Sequence, residues 1–145
     1  MYATNMLRYV KGAHAERELL NYLYGIGWSV MRSAGSGVNS ISPDIIAFKD
    51  GKGIAVESKA WEGNGIAIDH EKWGYLKQWE TNTRMDTYMA WRMNRLGWYF
   101  IKLDEMSKTE KNYRVTKKNA LKIGRKLEHV TGAPPLSAPS VGPDV

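Results

Sequence analysis

The sequence contains no cysteine, only three histidines and no long apolar run, and each shortage excludes a class of protein. Without cysteine there is no disulfide framework and no thiolate metal site. The histidines lie far apart, at His14, His70 and His129, which argues against a histidine metal centre. No segment approaches the roughly 18 apolar residues of a membrane-spanning helix, and the N-terminus lacks the apolar core of a signal peptide. We therefore expect a cytoplasmic protein.

The composition that remains is that of one ordinary globular domain. The 145 residues are 43% apolar and 25% charged, which suits a single domain with its own core. We expect this domain to span residues 1–132. Residues 133–145 are rich in Pro, Ser, Gly and Ala, and this composition predicts a disordered tail.

The net charge of +6 is concentrated in one segment. Residues 108–129 hold eight Lys or Arg and two Glu, whereas the rest of the chain holds 13 basic and 13 acidic residues. Such a basic segment indicates a polyanion partner about as strongly as it indicates a solvated helix face. If the partner is DNA, the candidate contacts in this segment are Lys117, Lys118 and Arg125.

The basic segment is predicted to form one C-terminal helix. Thr116 can cap its N-terminus, and Gly132 and Pro134 would end it. One apolar stripe along this helix would consist of Ala120, Ile123, Leu127 and Val130.

The rest of the chain predicts the order α-β-β-β-α-β-β, an α/β arrangement with a mixed central sheet flanked by helices. The first helix covers about residues 13–24, and the second runs from an N-cap at Asp69 to about Thr81. The five predicted strands are 28–32, 44–48, 54–59, 87–93 and 98–103.

Two neighbouring predicted strands carry the residues best suited to chemistry. Side chains alternate along a strand, so Glu57 and Lys59 share one face, and Asp44 opens the adjacent strand. Two carboxylates can hold Mg²⁺, and a lysine beside them can orient water or stabilise charge on a phosphate. A solvated pair on an ordinary strand would show the same spacing, so this motif alone is a weak signal.

Two features upstream of these strands add to the signal. Glu16 lies at the border of the apolar stripe of the first helix, where a surface salt bridge is its ordinary role. The small polar residues 33–40 form a loop whose backbone N–H groups and hydroxyls can approach a phosphate closely. A flexible connector has the same composition.

Four ordered motifs combine these features: Lys11-Gly12-x-x-x-Glu16-Arg17-Glu18-Leu19, Arg32-Ser33-Ala34-Gly35-Ser36, Pro43-Asp44 and Glu57-Ser58-Lys59. Together they resemble the archaeal-type Holliday junction resolvases, over about residues 8–103. The resemblance implies a restriction-endonuclease-like core with the PD-(D/E)XK motif. The C-terminal basic helix would be an addition to that core. Trp61 and the Gly63–Gly65 loop receive no role from it.

The resemblance also implies an activity and a set of site residues. It implies a Mg²⁺-dependent homodimer, in which Mn²⁺ can substitute, that resolves four-way DNA junctions by paired symmetric nicks. The implied metal ligands are Asp44, Glu57, Glu16 and the backbone carbonyl of Ser58, which replaces an apolar residue common at that position. Lys59 would assist the nucleophilic water. The implied DNA contacts are Lys11, Arg17, Arg32, Ser33 and Ser36.

Two other functions stay open on the residues alone. A different PD-(D/E)XK nuclease could act on linear or damaged duplex, and only the resemblance of the Arg32–Ser36 motif argues against it. A non-catalytic DNA-binding module could use the basic segment, and the intact set of Asp44, Glu57 and Lys59 argues against that.

Overall fold

Two β-sheets organise the chain in the computed structural model, which describes residues 2–33 and 41–133. In chain order the elements are α1 (Tyr2–Gly25), β1 (Ser29–Arg32), β2 (Ile45–Lys49), β3 (Lys52–Ala60), β4 (Gly65–Asp69), α2 (His70–Thr83), β5 (Asp86–Met93), β6 (Gly97–Lys102), a 3₁₀ turn (Leu103–Glu105), β7 (Ser107–Lys108), β8 (Asn112–Thr116), α3 (Lys117–Ile123) and α4 (Leu127–Thr131). None of the helices in these ranges combines the length and apolar content that a membrane crossing requires.

The larger sheet has the strand order β1-β2-β3-β5-β6 and is mixed, as predicted. Only β3 and β5 run parallel to each other, and the crossover between them contains α2. The other neighbours in this sheet pair antiparallel.

Each face of the larger sheet carries its own apolar core. On one face, α1 contributes the fully buried Leu19 and Leu23, which pack in a cluster with Ile45, Val56 and residues of β6. On the other face, the cluster includes Leu76 of α2 together with buried residues of β5 and β6. We call these the α1 face and the α2 face. Helix α1 begins well before the predicted start near residue 13.

A second sheet, with the order β4-β8-β7, was not predicted. Its first strand is the short run that follows the Gly63–Gly65 loop, and Ile66 and Ile68 are buried in the α2-face cluster. Val115 of β8 is buried beside them. Strands this short, placed next to glycine and charge, carry little pattern of their own.

The prediction of one C-terminal helix is wrong. Gly124 separates α3 from α4, and Arg125 pairs with Phe100 through backbone hydrogen bonds of 2.8 and 2.9 Å. A Cβ at position 124 would lie 2.4 Å from the Ala120 carbonyl oxygen, so the close approach requires glycine. Ile123, predicted to be part of the apolar stripe, is 38% exposed. The predicted disordered tail lies almost entirely outside the described residues.

Candidate active site

The candidate site starts where β2 ends alongside β3. The last pair of the ladder is Ile45 with Val56, so continuing the antiparallel register by one residue sets Asp44 opposite Glu57. The backbone N–H of Ser58 donates to Asp44 Oδ2 at 2.9 Å. The Asp44 carboxylate thus accepts the hydrogen bond that a backbone carbonyl would otherwise take, and this fixes it beside the Glu57–Lys59 segment.

Glu57 and Lys59 lie on the α2 face of the sheet. In the parallel ladder, Glu57 pairs with Met89 and Lys59 pairs with Trp91. Both partners belong to the α2-face cluster, and side chains at paired positions share a face. The predicted juxtaposition of two carboxylates with one lysine is therefore present at the carboxyl end of β3.

A second lysine, which the sequence analysis missed, reaches the site from α2. Lys72 Nζ lies 3.5 Å from Glu57 Oε1 and donates to the carbonyl of Ser42 at 3.0 Å. The Lys72 and Glu57 side chains are only 18% and 11% exposed. The N-cap Asp69 accepts the Lys72 backbone N–H at 2.7 Å, which orients this first turn.

One signal in the sequence could have identified Lys72. The positive end of a helix dipole disfavours a lysine in the first turn. Asp69 was predicted as the N-cap of α2, so Lys72 was already placed in that turn. A lysine in such a position indicates a nearby negative charge, and here that charge is Glu57.

Glu57 is a buried carboxyl that is only partly compensated. Its Oε1 is buried and accepts no well-formed hydrogen bond from the described residues, and the Lys72 ammonium group interacts with it from 3.5 Å. Burial and then the neighbouring Asp44 charge raise the pKa of Glu57 to about 7, and Lys72 and Lys59 offset only part of that effect. A shift in this direction favours the protonated carboxyl when no cation is bound.

The donor set fits a hard divalent cation. Mg²⁺ prefers oxygen ligands, and Asp44 and Glu57 supply two carboxylates whose mutual repulsion a cation would relieve. The buried Oε1 of Glu57, which accepts no well-formed hydrogen bond from the described residues, is available as a ligand atom for such a cation. The described residues hold no group of three or more Asp, Glu, His or Cys that could bind a metal, so two carboxylates are what the chain offers here.

Glu16 forms no metal-binding group with these carboxylates among the described residues. It belongs to α1, whose apolar residues pack on the opposite face of the sheet, and it is paired with Arg32 of β1, whose Nε donates to Glu16 Oε1. The structure therefore assembles Asp44, Glu57 and Lys59 but leaves the predicted fourth member in an ion pair of its own.

The other upstream candidates fall at several places. Arg17 is exposed on α1, and Lys11 is paired with Glu62 at 3.2 Å. The Ser33 hydroxyl lies 3.1 Å from that of Ser42, and the Ser33 N–H donates to the Asp44 carbonyl at 2.8 Å. These contacts tie the end of β1 to the residue before β2. Ser36 lies outside the described residues.

The C-terminal candidates divide into two kinds. Lys117 and Lys118 open α3, where Lys118 is exposed and Lys117 partly so. Arg125 forms a two-armed ion pair with Glu105, with both nitrogen–oxygen distances at 2.9 Å, and also contacts the Phe100 carbonyl. Arg125 therefore anchors the C-terminal segment, and its charge is already matched.

Comparison with known proteins identifies the family. Residues 7–135 match the family model described as archaeal Holliday junction resolvase (Hjc). Two curated relatives, each named crossover junction endodeoxyribonuclease Hjc, are 28% identical over 123 residues. The match with the Archaeoglobus fulgidus protein covers 90% of that protein and 84% of this chain. The match with the Sulfolobus acidocaldarius protein covers 85% of that protein and 83% of this chain.

Solved structures support the same assignment. The structure of A. fulgidus Hjc, a Holliday junction resolvase, superposes with a TM-score of 0.75 and 26% identity, over 83% of this chain and 100% of that one. The bacterial homing endonuclease I-Ssp6803I matches with a TM-score of 0.51 and 15% identity, over 74% and 75% of the two chains, and shows a shared fold only. The predicted fold class is confirmed.

The family match is longer than the motifs indicated. The motifs covered about residues 8–103, and the basic segment was expected to be an addition, but the match continues to residue 135. The β7–β8 hairpin and the two short helices thus lie within the matched region. This chain belongs to the archaeal Holliday junction resolvase family.

Proposed function

We propose that this chain is a Mg²⁺-dependent homodimeric endonuclease that resolves four-way DNA junctions by paired, symmetric nicks. The observation that carries the proposal is the buried Glu57 carboxyl, which lies beside Asp44 and two lysines and accepts no well-formed hydrogen bond at Oε1 from the described residues. A buried charge that is only partly compensated destabilises a fold, so we infer that function retains this arrangement.

Asp44, Glu57 and the Ser58 carbonyl would hold the metal. When bound, the ion would lower the pKa of a bound water and stabilise negative charge on the phosphate. The Ser58 N–H group orients the Asp44 carboxylate. The apolar surroundings of Glu57 leave its carboxyl poorly solvated, which would favour binding of a cation. Lys59 projects from the same face as Glu57 and is placed to act on the phosphate or the attacking water.

Lys72 acts as a counter-charge in this proposal. Its ammonium group links Glu57 to the Ser42 carbonyl, two residues before Asp44. It therefore holds the two carboxylate-bearing segments together and offsets their repulsion.

DNA contacts are proposed on both sides of this centre. Arg32 is oriented by Glu16 at the end of β1, close to the Ser33–Ser42 contact. Lys117 and Lys118 provide unspecific charge at the start of α3. Changing both to Gln should lower the slope of log affinity against log salt by up to about 2, because each phosphate contact adds roughly one.

The dimer follows from the symmetry of the substrate. A four-way junction has approximate two-fold symmetry, and its resolution requires two cuts. The described part of the chain offers one Asp44–Glu57–Lys59 set. An isologous dimer supplies the second set in the required relation.

A strand-resolved cleavage assay tests the proposal. A synthetic four-way junction, labelled in turn on each strand, is incubated with Mg²⁺ or EDTA, next to linear duplexes of the same arm sequences. We expect Mg²⁺-dependent nicks at symmetric positions on two opposing strands and little cutting of the duplexes. Equal cleavage of junction and duplex would instead favour a general nuclease. A protein that stays monomeric in sedimentation, alone and on the junction, would contradict the dimer.

A further inference from the structure

A cavity of about 460 Å³ opens next to Lys59, and of the groups assigned above it shares Ser58 and Lys59. Small residues of β3 and β4, among them Ala60, Gly65 and Ala67, leave it room, and Trp61 forms a wall. Its volume lies within the roughly 300–1,000 Å³ of pockets that bind small ligands. Trp61 and the Gly63–Gly65 loop are the features that the family resemblance left without a role.

The indole of Trp61 is held in place by close packing. A Cβ at Gly63 would lie 2.6 Å from Trp61 Nε1, so the ring lies directly against that glycine. The Trp61 carbonyl accepts a hydrogen bond from Trp91 Nε1 at 3.0 Å, which fixes its backbone. A fixed aromatic ring in a cavity wall is a platform on which a flat ligand can stack without ordering the protein further.

A cation that is unpaired among the described residues lies at the edge of the same cavity. Arg114 of β8 is opposite Ala67 of β4, and its guanidinium leans over Gly65, where a Cβ would lie 2.6 Å from Arg114 Nη2. Within the described residues, this guanidinium has no ion pair and no hydrogen bond. Lys59 and Arg114 therefore bring two positive charges to one aromatic-walled cavity.

We propose that this cavity binds one unstacked nucleobase of the DNA strand whose scissile phosphate lies at Lys59, with the base on Trp61 and a neighbouring phosphate on Arg114. The inference rests on the proposed function. A nucleotide within a strand offers both groups: a flat base that can stack on an aromatic ring, and a phosphate on either side of its sugar. Removing a base from its stack costs least where the duplex is already interrupted, as it is at the branch point of a junction.

An abasic scan of the substrate tests the inference with wild-type protein. Junctions carry one abasic residue in turn at each position within three nucleotides of the nick, and their affinity is measured in Ca²⁺ and their cleavage in Mg²⁺. One base stacked on an aromatic ring is worth about tenfold in affinity or more. We therefore expect a single position at which the abasic substitution weakens binding by about tenfold, with much smaller effects elsewhere.

Two variants and one control assign that position to the cavity. Trp61→Ala should lose the same tenfold on intact junction and become insensitive to the abasic position, whereas Trp61→Phe should retain most affinity. Arg114→Gln should lower the salt slope by about 1. Arg84→Gln, an exposed arginine near the opposite end of the sheet where β5 begins, should leave it unchanged.

The outcomes separate the cavity from the function. Wild-type protein that cuts and binds every abasic junction as well as the intact one would overturn the nucleobase site and leave the junction endonuclease standing. If Trp61→Ala does not fold, the scan with wild-type protein still decides. Absence of any Mg²⁺-dependent cleavage of the intact junction would overturn both.

Discussion

Glutamates on the two faces of the five-stranded sheet differ in their hydrogen bonding and in the direction of their pKa shifts. On the α1 face, Glu18 accepts from Arg92 at 2.8 Å and from Trp98 Nε1 at 2.9 Å, and the Arg92 hydrogen bond lowers its pKa. On the α2 face, Glu57 Oε1 accepts no well-formed hydrogen bond from the described residues, and burial raises the pKa of this carboxyl to about 7. On the α1 face, Glu18 links α1 to β5 and β6 through its hydrogen bonds. On the α2 face, the charge of Glu57 is only partly compensated, and a bound metal ion would complete that compensation.

The largest expected effect comes from substituting Asp44, one of the two carboxylates of the candidate site on the α2 face. Asp44→Asn keeps the shape but removes one ligand charge, so the single-turnover rate in Mg²⁺ should fall by a factor of about 10³ or more. Junction affinity in EDTA should persist or improve, because a carboxylate near phosphates repels them. Asp86→Asn, at the other end of the β3–β5 ladder, is the control. Cleavage by Asp44→Asn near the wild-type rate would remove Asp44 from the site.

Lys72 distinguishes a counter-charge from a surface charge. Lys72→Met leaves Glu57 and Asp44 without their compensating ammonium group. We expect cleavage to fall about tenfold and the free energy of unfolding in EDTA to fall by about 1–3 kcal/mol at pH 8. The matched change is Lys77→Met on the same helix. Lys77 contacts Glu80 and Asp104 in more exposed pairs, which are worth less than about 1 kcal/mol. Similar results for both lysines would mean that Lys72 has no special role.

The pH dependence of stability should differ between wild type and Glu57→Gln. The folded-state pKa of Glu57, about 7, lies above the reference value of 4.5, so the folded protein binds the extra proton. Its contribution to stability is complete below about pH 4.5 and is lost as pH rises through 7, by up to about 3 kcal/mol. Urea unfolding in EDTA from pH 4.5 to 8 should show this loss in wild type only. Parallel curves would contradict the raised pKa.

Glu18→Gln should give the smallest effect, with the opposite sign in pH. The lowered pKa of Glu18 means that its contribution is present above the unfolded value and is lost as pH falls through the folded one. Because this side chain is 50% exposed, we expect the substitution to cost less than about 1 kcal/mol at pH 7 and almost nothing in strong acid. Cleavage at saturating enzyme should not change. A loss as large as that of Lys72→Met would erase the contrast between the faces.

Periodicity alone predicted the larger sheet, because its strands are apolar and bounded by turn residues. It also predicted that Asp44, Glu57 and Lys59 would come together, since both strands meet at one end. It did not reveal Lys72, whose neighbour in space is 15 positions away in sequence, nor the ion pair between Glu16 and Arg32. A residue's place beside an apolar stripe gives its helix face but not the sheet face that the helix covers.

The C-terminal segment shows a different limit. Ala120, Ile123, Leu127 and Val130 fit one helical stripe in sequence, yet Ala120 packs on the α2 face and Leu127 on the α1 face. Two short helices that serve opposite cores produce the same spacing as one longer helix. Gly124 was the local sign of a helix break. Only the structure shows that glycine is required there, because a Cβ at this position would come too close to Ala120 and Tyr99.

The bridge between Arg125 and Phe100 also bears on how the protein avoids aggregation. An open edge strand invites pairing with another chain, and β6 is an outer strand of the larger sheet. Both backbone groups of Phe100 are already occupied by Arg125, whose guanidinium is clamped by Glu105. The segment that carries the excess positive charge therefore also blocks strand pairing at this edge. A chain cut short before Gly124 would lose this protection of the edge but keep its net charge, because Arg125 and Lys126 are matched by Glu128 and Asp144.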